Sequence, residues 1–289
     1  MRLVSFGPAG AERPGVLSEG RIVPLASLDA SLPPSWRAVL AAGRLELVRE
    51  LVASGRGQAI DPAEVRLGPP IPDPSKLVCI GLNYRDHALE QGKEPPETPL
   101  LFAKAPSALA GPTDPIRIPA ELSQVDLEAE LAFVIGRRAR RVTRAEALAH
   151  VAGYMIFDDV SERALQRSER QWFRAKSFDS FAPSGPALVT PEEAGNPEDL
   201  RIGSELGGVR LQDSSTSQLV HGVAALVAYI SASMTLEPGD IVATGTPAGV
   251  GVYRDPPAFL KPGDVARVWI EGLGELVNPI VADSCGLAG

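Results

Sequence analysis

From Asp126 to Ile135 (DLEAELAFVI) apolar residues recur at every second position, with acids between them at Asp126, Glu128 and Glu130, the period-two signature of a half-buried strand. Leu127, Ala129, Leu131, Phe133 and Ile135 fall on one face and predict a core contact, while Asp126, Glu128 and Glu130 fall on the other. Alternate carboxylates on a strand stand about 6.6 Å apart. At an effective dielectric near 20 they repel by roughly 2.5 kcal/mol. A solvated sheet edge relieves that repulsion; so does a hard divalent cation, provided a third acid lies nearby. The run VAGYMIFDDV, Val151 to Val160, predicts a buried strand that would deliver Asp158 or Asp159 at its end.

The same patterning lays out the rest of the chain. Leu3–Phe6, Gly15–Leu17 and Arg21–Leu25 read as short strands, the last two joined by a turn at Ser18, Glu19 and Gly20. Ser35 can cap a helical stretch running to about Ser54, interrupted near Gly43, with Leu47, Val48 and Leu51 on one face. Pro62, Pro69, Pro70, Pro72 and Pro74 impose an extended chain, so a domain boundary is expected near residue 70: a small N-terminal domain over 1–70 and a catalytic domain over 71–289. Lys76–Leu82 predicts an apolar strand stopping at Asn83, and Arg85–Gln91 a helix. Thr143 with Glu146, and Thr190 with Pro191 and Glu193, have capping-box spacing. Leu219, Val223, Leu226 and Ile230 recur at helical spacing, predicting a helix over Gln218–Ser233. Pro238-Gly239-Asp240 and Pro262-Gly263-Asp264 each introduce a further strand, Ile241–Ala243 and Val265–Ile270.

At 289 residues the chain has ample material for an independent core. Its net charge of -8 argues against nucleic acid or an anionic membrane as partner, since both need a basic footprint. Cys79 and Cys285 form no disulfide or metal framework. The N-terminus lacks a long apolar segment, and the longest later apolar run, Val223–Ile230, is far short of the ~20 residues of a membrane span. A cytoplasmic, unexported protein is expected.

Only His87, His150 and His221 are present, and none has H-x-x-x-H spacing, which argues against zinc. Hard oxygen ligands favour Mg²⁺, Mn²⁺ or Ca²⁺. His87 and Glu90 share a helix face, and a carboxylate on one imidazole nitrogen raises the basicity of the other, as a water-activating base requires. His150 reads as a polar helix-end residue and His221 as a packing residue. Lys104 and Lys176 are solvated if alone; near a cation and a base they would hold a substrate carboxylate or an enolate oxygen. Gly245, Gly249 and Gly251 suggest a phosphate loop, but the Gly-Lys-Ser/Thr sequence of such loops is missing.

The stretches CIGLNYRDHALE, LFAKAPSAL, DLEAELAFVIGRRAR, GYMIFDDVSERALQ, WFRAKSFDSFAPSGPALVT, LEPGDIVATGTPAGVG and FLKPGDVARVWIEGLGEL, in this order, resemble the fumarylacetoacetate hydrolase superfamily over nearly all of residues 70–276. The opening RLVSFGPAGAERPG resembles the small N-terminal domain of bacterial members. The resemblance implies an α+β fold, mainly β, with a mixed β-sandwich roll, a homodimer, and a Mg²⁺ or Mn²⁺ site. By motif position the metal ligands would be Glu128, Glu130 and Asp159, with Asp158 the less favoured aspartate. His87 and Glu90 would be the catalytic pair and Lys176 the active-site lysine. Arg163 and Gln166 would approach substrate, and Thr246 would close the pocket floor. The chain departs from the family pattern at Gly207, Gly208 and Val209, where Asn-Gly-Glu is common, at Ala175, where glycine is common, and near His221. The leading expectation is hydrolytic C–C cleavage of an acylpyruvate or other 2,4-diketo acid. The alternatives are a tautomerase, isomerase or decarboxylase of a 2-oxo diacid such as oxaloacetate, a non-enzymatic cation-stabilised binding protein and, more remotely, a Mg²⁺-dependent phosphohydrolase.

Overall fold

The hydrophobic runs assemble into two large sheets, beside a two-stranded pairing of Val125–Asp126 with Ser161–Glu162. In a computed structural model that describes residues 1–283, the larger sheet contains eleven strands. Its main path runs Arg21–Pro24, Arg13–Ser18, Arg2–Phe6, Ala182–Val189, Val151–Asp158, Ala129–Ile135, Ile241–Ala243, Leu77–Gly81 and Leu100–Lys104. All these neighbours are antiparallel except Ile241–Ala243 with Leu77–Gly81. A second sheet of five strands contains Val209–Ser215, Arg201–Leu206, Val265–Ile270, Gly274–Ala282 and Ile116–Ile118. The chain is thus α+β and mainly β, as expected.

The strand Ala129–Ile135 is covered on both faces. Leu131, Phe133 and Ile135 pack with Val268, Ile270 and Leu276 of the second sheet and with Val223, Leu226 and Ile230 of the helix Val223–Ser233. Ala132 and Val134 face the other way, into a core shared with Leu3, Val16, Trp36 and Val48. That core and the sheet both continue across position 70: Arg2–Phe6 pairs with Ala182–Val189, and the Trp36 indole donates to the Val4 carbonyl at 2.7 Å. Ser35 caps the helix Trp36–Ala41 through Ala38 N, and Gly43 sits at φ 64° before the helix Leu45–Ala53.

Three expectations are corrected. The strand predicted over Asp126–Ile135 splits into Val125–Asp126 and Ala129–Ile135, because side chains take over its ladder: Asp158 accepts from Glu128 N and Gln212 from Ala129 N. The helix predicted from Gln218 starts at Val223, where the Glu198 carboxylate accepts the Val223 N–H, while Leu219 forms a β-bridge to Tyr84. At Thr190 the capping carboxylate is diverted, since Glu193 pairs with the N-terminal ammonium and Arg2. Cys79 is a buried free thiol; Cys285 lies outside the described residues.

Candidate active site

Two neighbouring strands create the acidic cluster. The antiparallel register sets Ala129 opposite Asp158 and Glu130 opposite Phe157, and the Asp159 N–H donates to the Glu128 carbonyl at 3.0 Å. The carboxylates of Glu128, Glu130 and Asp159 therefore converge, with one oxygen of each within 4.8 Å of the others, all three buried. Asp126, which shares their face by alternation, goes elsewhere. It accepts from Arg163 Nε (2.9 Å) and from the N–H groups of Gly251 (2.9 Å) and Val252 (3.0 Å).

Cations surround the cluster unevenly. Lys176 Nζ lies 2.9 Å from Glu128 and 2.6 Å from Asp159, and also donates to Ser161 Oγ at 2.7 Å. Lys104 Nζ donates to Asp159 (2.6 Å) and the Val160 carbonyl (3.1 Å), so it stands behind the carboxylates, outside the cavity lining. Arg163 Nη1 donates to Glu128 (2.5 Å) and to Gln166 Oε1 (2.9 Å). Among the described residues Glu130 alone of the three has no ion-paired cation, and its one hydrogen-bond donor there is Gly245 N at 2.8 Å. Burial, together with the charges of Asp159 and Glu128, pushes the Glu130 carboxyl well above the usual carboxylate range. Burial also raises the Glu128 carboxyl, but Lys176 and Arg163 outweigh it and hold that group well below the usual range. For Lys176 burial opposes the charged form, and the carboxylates of Asp159 and Glu128 reverse the sign and keep the ammonium protonated. Asp158 points away from the cluster to Glu128 N; burial lifts it to about 8.

A cavity of about 350 Å³ opens onto Glu128, Glu130 and Lys176, with Arg163, Gln166 and Thr246 in its wall and Phe102, Trp172 and Tyr253 as aromatic sides. His87 enters from the helix Arg85–Glu90. Its Nδ1 lies 2.8 Å from Glu90, whose other oxygen accepts from Gly249 N at 2.8 Å. Thr246 Oγ1 donates to the Ala129 carbonyl and accepts from Gln212 Nε2, so its hydroxyl braces the strand that carries Glu130. His150 and His221 stand outside this lining, on the carbonyls of Arg137 and Pro96.

The glycine-rich loop is explained by the same site. The N–H groups of Gly245, Gly249 and Gly251 each donate to a different carboxylate, Glu130, Glu90 and Asp126. The anions it cradles are the protein's own, not phosphate. A Cβ at Gly249 would meet Leu211 O at 2.3 Å, and one at Gly251 would meet Ala258 O at 1.9 Å. Periodicity had no means of finding Gln212 or Asp126's partner, since both act across strands distant in sequence.

Residues 76–281 match the family model described as the fumarylacetoacetate (FAA) hydrolase C-terminal domain. The chain belongs to the fumarylacetoacetate hydrolase family. Among relatives of this family member, oxaloacetate tautomerase fahd2, mitochondrial, of Xenopus laevis is 43% identical, over 97% of this chain and 90% of that protein. Oxaloacetate tautomerase FAHD2A, mitochondrial, of Homo sapiens is 38% identical over 97% of this chain and 92% of that one. Among solved structures, a putative HpcE protein from Mycobacterium smegmatis superposes with a TM-score of 0.87 at 35% identity, covering 98% of this chain and 100% of that one. Maleylpyruvate hydrolase from Sphingobium sp. SYK-6, in complex with manganese (II) ion and pyruvate, gives 0.81 at 30% identity over 98% and 100%. The donor set of this family member fits a divalent cation. Three convergent oxygen donors suit a hard metal, and Glu130 is a buried carboxyl that no side-chain cation among the described residues pairs with.

Proposed function

We propose that this chain is a divalent-cation-dependent tautomerase of a 2-oxo diacid, interconverting the keto and enol forms of oxaloacetate or a close analogue. The observation that carries the reading is the pairing, in one cavity, of a carboxylate-oriented imidazole with a protonated ammonium beside the acidic cluster. Tautomerisation needs a base to remove a proton from carbon and positive charge to stabilise the oxygen as it becomes an enolate. The names of the relatives at 38–43% identity support the same choice.

Glu128, Glu130 and Asp159 would hold Mg²⁺ or Mn²⁺, which when bound draws electron density from a 2-oxo group and acidifies the adjacent C–H. His87 Nε2 takes that C–H proton, and Glu90 steadies the resulting imidazolium at Nδ1. The Lys176 ammonium, which Glu128 and Asp159 keep charged, stabilises the negative charge that develops on the oxygen at C2. Solvent supplies the proton that completes the enol, and the proton on His87 returns to solvent. Arg163 and Gln166, which hold one another, present polar edges to the substrate carboxylates. Phe102 and Trp172 limit water around the reacting carbon.

A second reading, C–C hydrolysis of an acylpyruvate, is favoured by the Glu90 anchor on Gly249, which suits a base that activates water. The test is to follow enol-oxaloacetate by ultraviolet absorbance with Mg²⁺ or Mn²⁺ supplied, with parallel coupled assays for pyruvate. Faster enol–keto exchange without pyruvate supports the tautomerase. Pyruvate from acylpyruvates together with unaccelerated exchange would replace it by the hydrolase, and pyruvate from oxaloacetate by a decarboxylase. The same reading carries a homodimer, to be tested by sedimentation.

A further inference from the structure

The helix Arg85–Glu90 supplies more than the His87–Glu90 pair. Gln91, one turn beyond His87, brings its side-chain nitrogen to 2.8 Å from His87 Nε2. The helix ends there in a Schellman arrangement: Gly92 at φ 63° donates to Leu89 O, and Lys93 N donates to Ala88 O. That turn folds Lys93 back, so its Nζ donates to Gln91 Oε1 at 2.9 Å. An ammonium can only donate, so the Gln91 oxygen must face Lys93 and its NH₂ must face the imidazole. The amide therefore donates to Nε2, while Glu90 accepts from Nδ1–H. Glu128, across the cavity, and the edge of the Tyr253 ring complete the surroundings of His87.

An unprotonated imidazole nitrogen has one lone pair. The lone pair that must take the substrate proton is the one Gln91 occupies. We propose that Gln91 is a positioning residue that masks His87: it holds the imidazole as the Nδ1–H tautomer with Nε2 aimed into the cavity, and must swing aside before His87 can act. Substrate binding then includes the cost of breaking one hydrogen bond. Such a bond is worth enough to weaken apparent affinity by about 2- to 10-fold.

The test uses Gln91→Ala and Gln91→Asn, whose side chains are too short to reach Nε2 from a half-buried helix-end position that tolerates both. In the metal-free, full-length protein, diethyl pyrocarbonate labelling of His87, read by peptide mass spectrometry against half-buried His150, outside the cavity lining, as reference, should be several-fold faster in both variants than in the wild type. In steady state KM should fall by about 2- to 10-fold with kcat within two-fold of wild type. Unchanged labelling of His87, or a raised KM, overturns the mask; a raised KM makes Gln91 a substrate contact. The kinetic half rests on the reading of His87 as the base. The labelling half needs no substrate, so it decides the proposal even if oxaloacetate is not turned over.

Discussion

Replacing Glu130 by glutamine should make the protein more stable without metal, and supplying metal should narrow or reverse that advantage. The structure sets the sign of each half. Gly245 N donates to Glu130 at 2.8 Å, a bond that the amide oxygen of an isosteric glutamine preserves. What the substitution removes is a group that, once ionised, would put a third negative charge within 4.8 Å of two others. A carboxylate pair at that separation repels by about 3.5 kcal/mol at an effective dielectric near 20. In the fold, burial and the charges of Asp159 and Glu128 raise the Glu130 carboxyl, so the folded state keeps a proton that the unfolded chain has already lost. Stability then falls as pH rises above the ordinary carboxylate range, by up to about 1.4 kcal/mol per pH unit. The glutamine variant escapes this loss. Its gain in chelator at neutral pH should be about 1–3 kcal/mol, after relaxation has absorbed part of the pair repulsion.

With Mn²⁺ at one hundred times the wild-type Kd, the wild type gains about 2.7 kcal/mol. A variant binding one hundred-fold more weakly gains only about 0.4 kcal/mol, so the order of stability should narrow or reverse. The assay is urea unfolding at pH 7.5 with chelator and with Mn²⁺, alongside calorimetric titration of the metal. A variant destabilised in chelator, with a wild-type gain from Mn²⁺, would refute the claim that the three carboxylates form one cation site.

Replacing His87 by asparagine should lower kcat by about 10²- to 10⁴-fold while leaving Mn²⁺ affinity within a few-fold, measured by the enol assay and calorimetry. Gly249→Ala puts a Cβ 2.3 Å from Leu211 O at φ 101° and displaces the N–H that anchors Glu90; a stability loss of about 1–3 kcal/mol by urea unfolding is expected, with a fall in kcat beyond any effect on metal binding. Asp158 is raised by burial to about 8, so in chelator its folded carboxyl binds a proton that the unfolded one releases, and stability declines with pH between the ordinary carboxylate range and about 8. Asp158→Asn should flatten that decline by up to about 1.4 kcal/mol per pH unit, measured by urea unfolding from pH 5 to 8.

Local pattern made the strands and the His87–Glu90 pair legible, because each depends on residues two to four positions apart. The alternation in Ala129–Ile135 places its odd-numbered residues in one core and Ala132 and Val134 in another, while Leu127, before the break in the strand, packs in a third with Val125 and Phe181. Legibility failed wherever a residue's direction is set by a partner from another strand. Asp126 and Glu128 share a face by spacing, yet Arg163 and the amides of Gly251 and Val252 turn Asp126 away. Asp158 and Asp159 are adjacent, so one strand end aims them in opposite directions. Which one joins Glu128 and Glu130 is settled by the register against Ala129, which the sequence of either strand alone does not contain. Lys104 reads as a free cation because its burial depends on Asp159, 55 positions away.

The uneven charge around the cluster bears directly on chemistry. Lys104 and Lys176 both hold Asp159, Lys176 and Arg163 both hold Glu128, and Glu130 has only a backbone N–H. Had a fourth side-chain cation neutralised Glu130, the cluster would be a closed ion-pair network with nothing to attract Mg²⁺ or Mn²⁺. Leaving that carboxyl without a paired cation costs stability in the metal-free protein, because it must hold a proton or repel its neighbours, and a dication held there would relieve that cost. Its charge would then stand beside the cavity onto which Glu128 and Glu130 open, where the proposed 2-oxo substrate would lie within reach of His87 and Lys176.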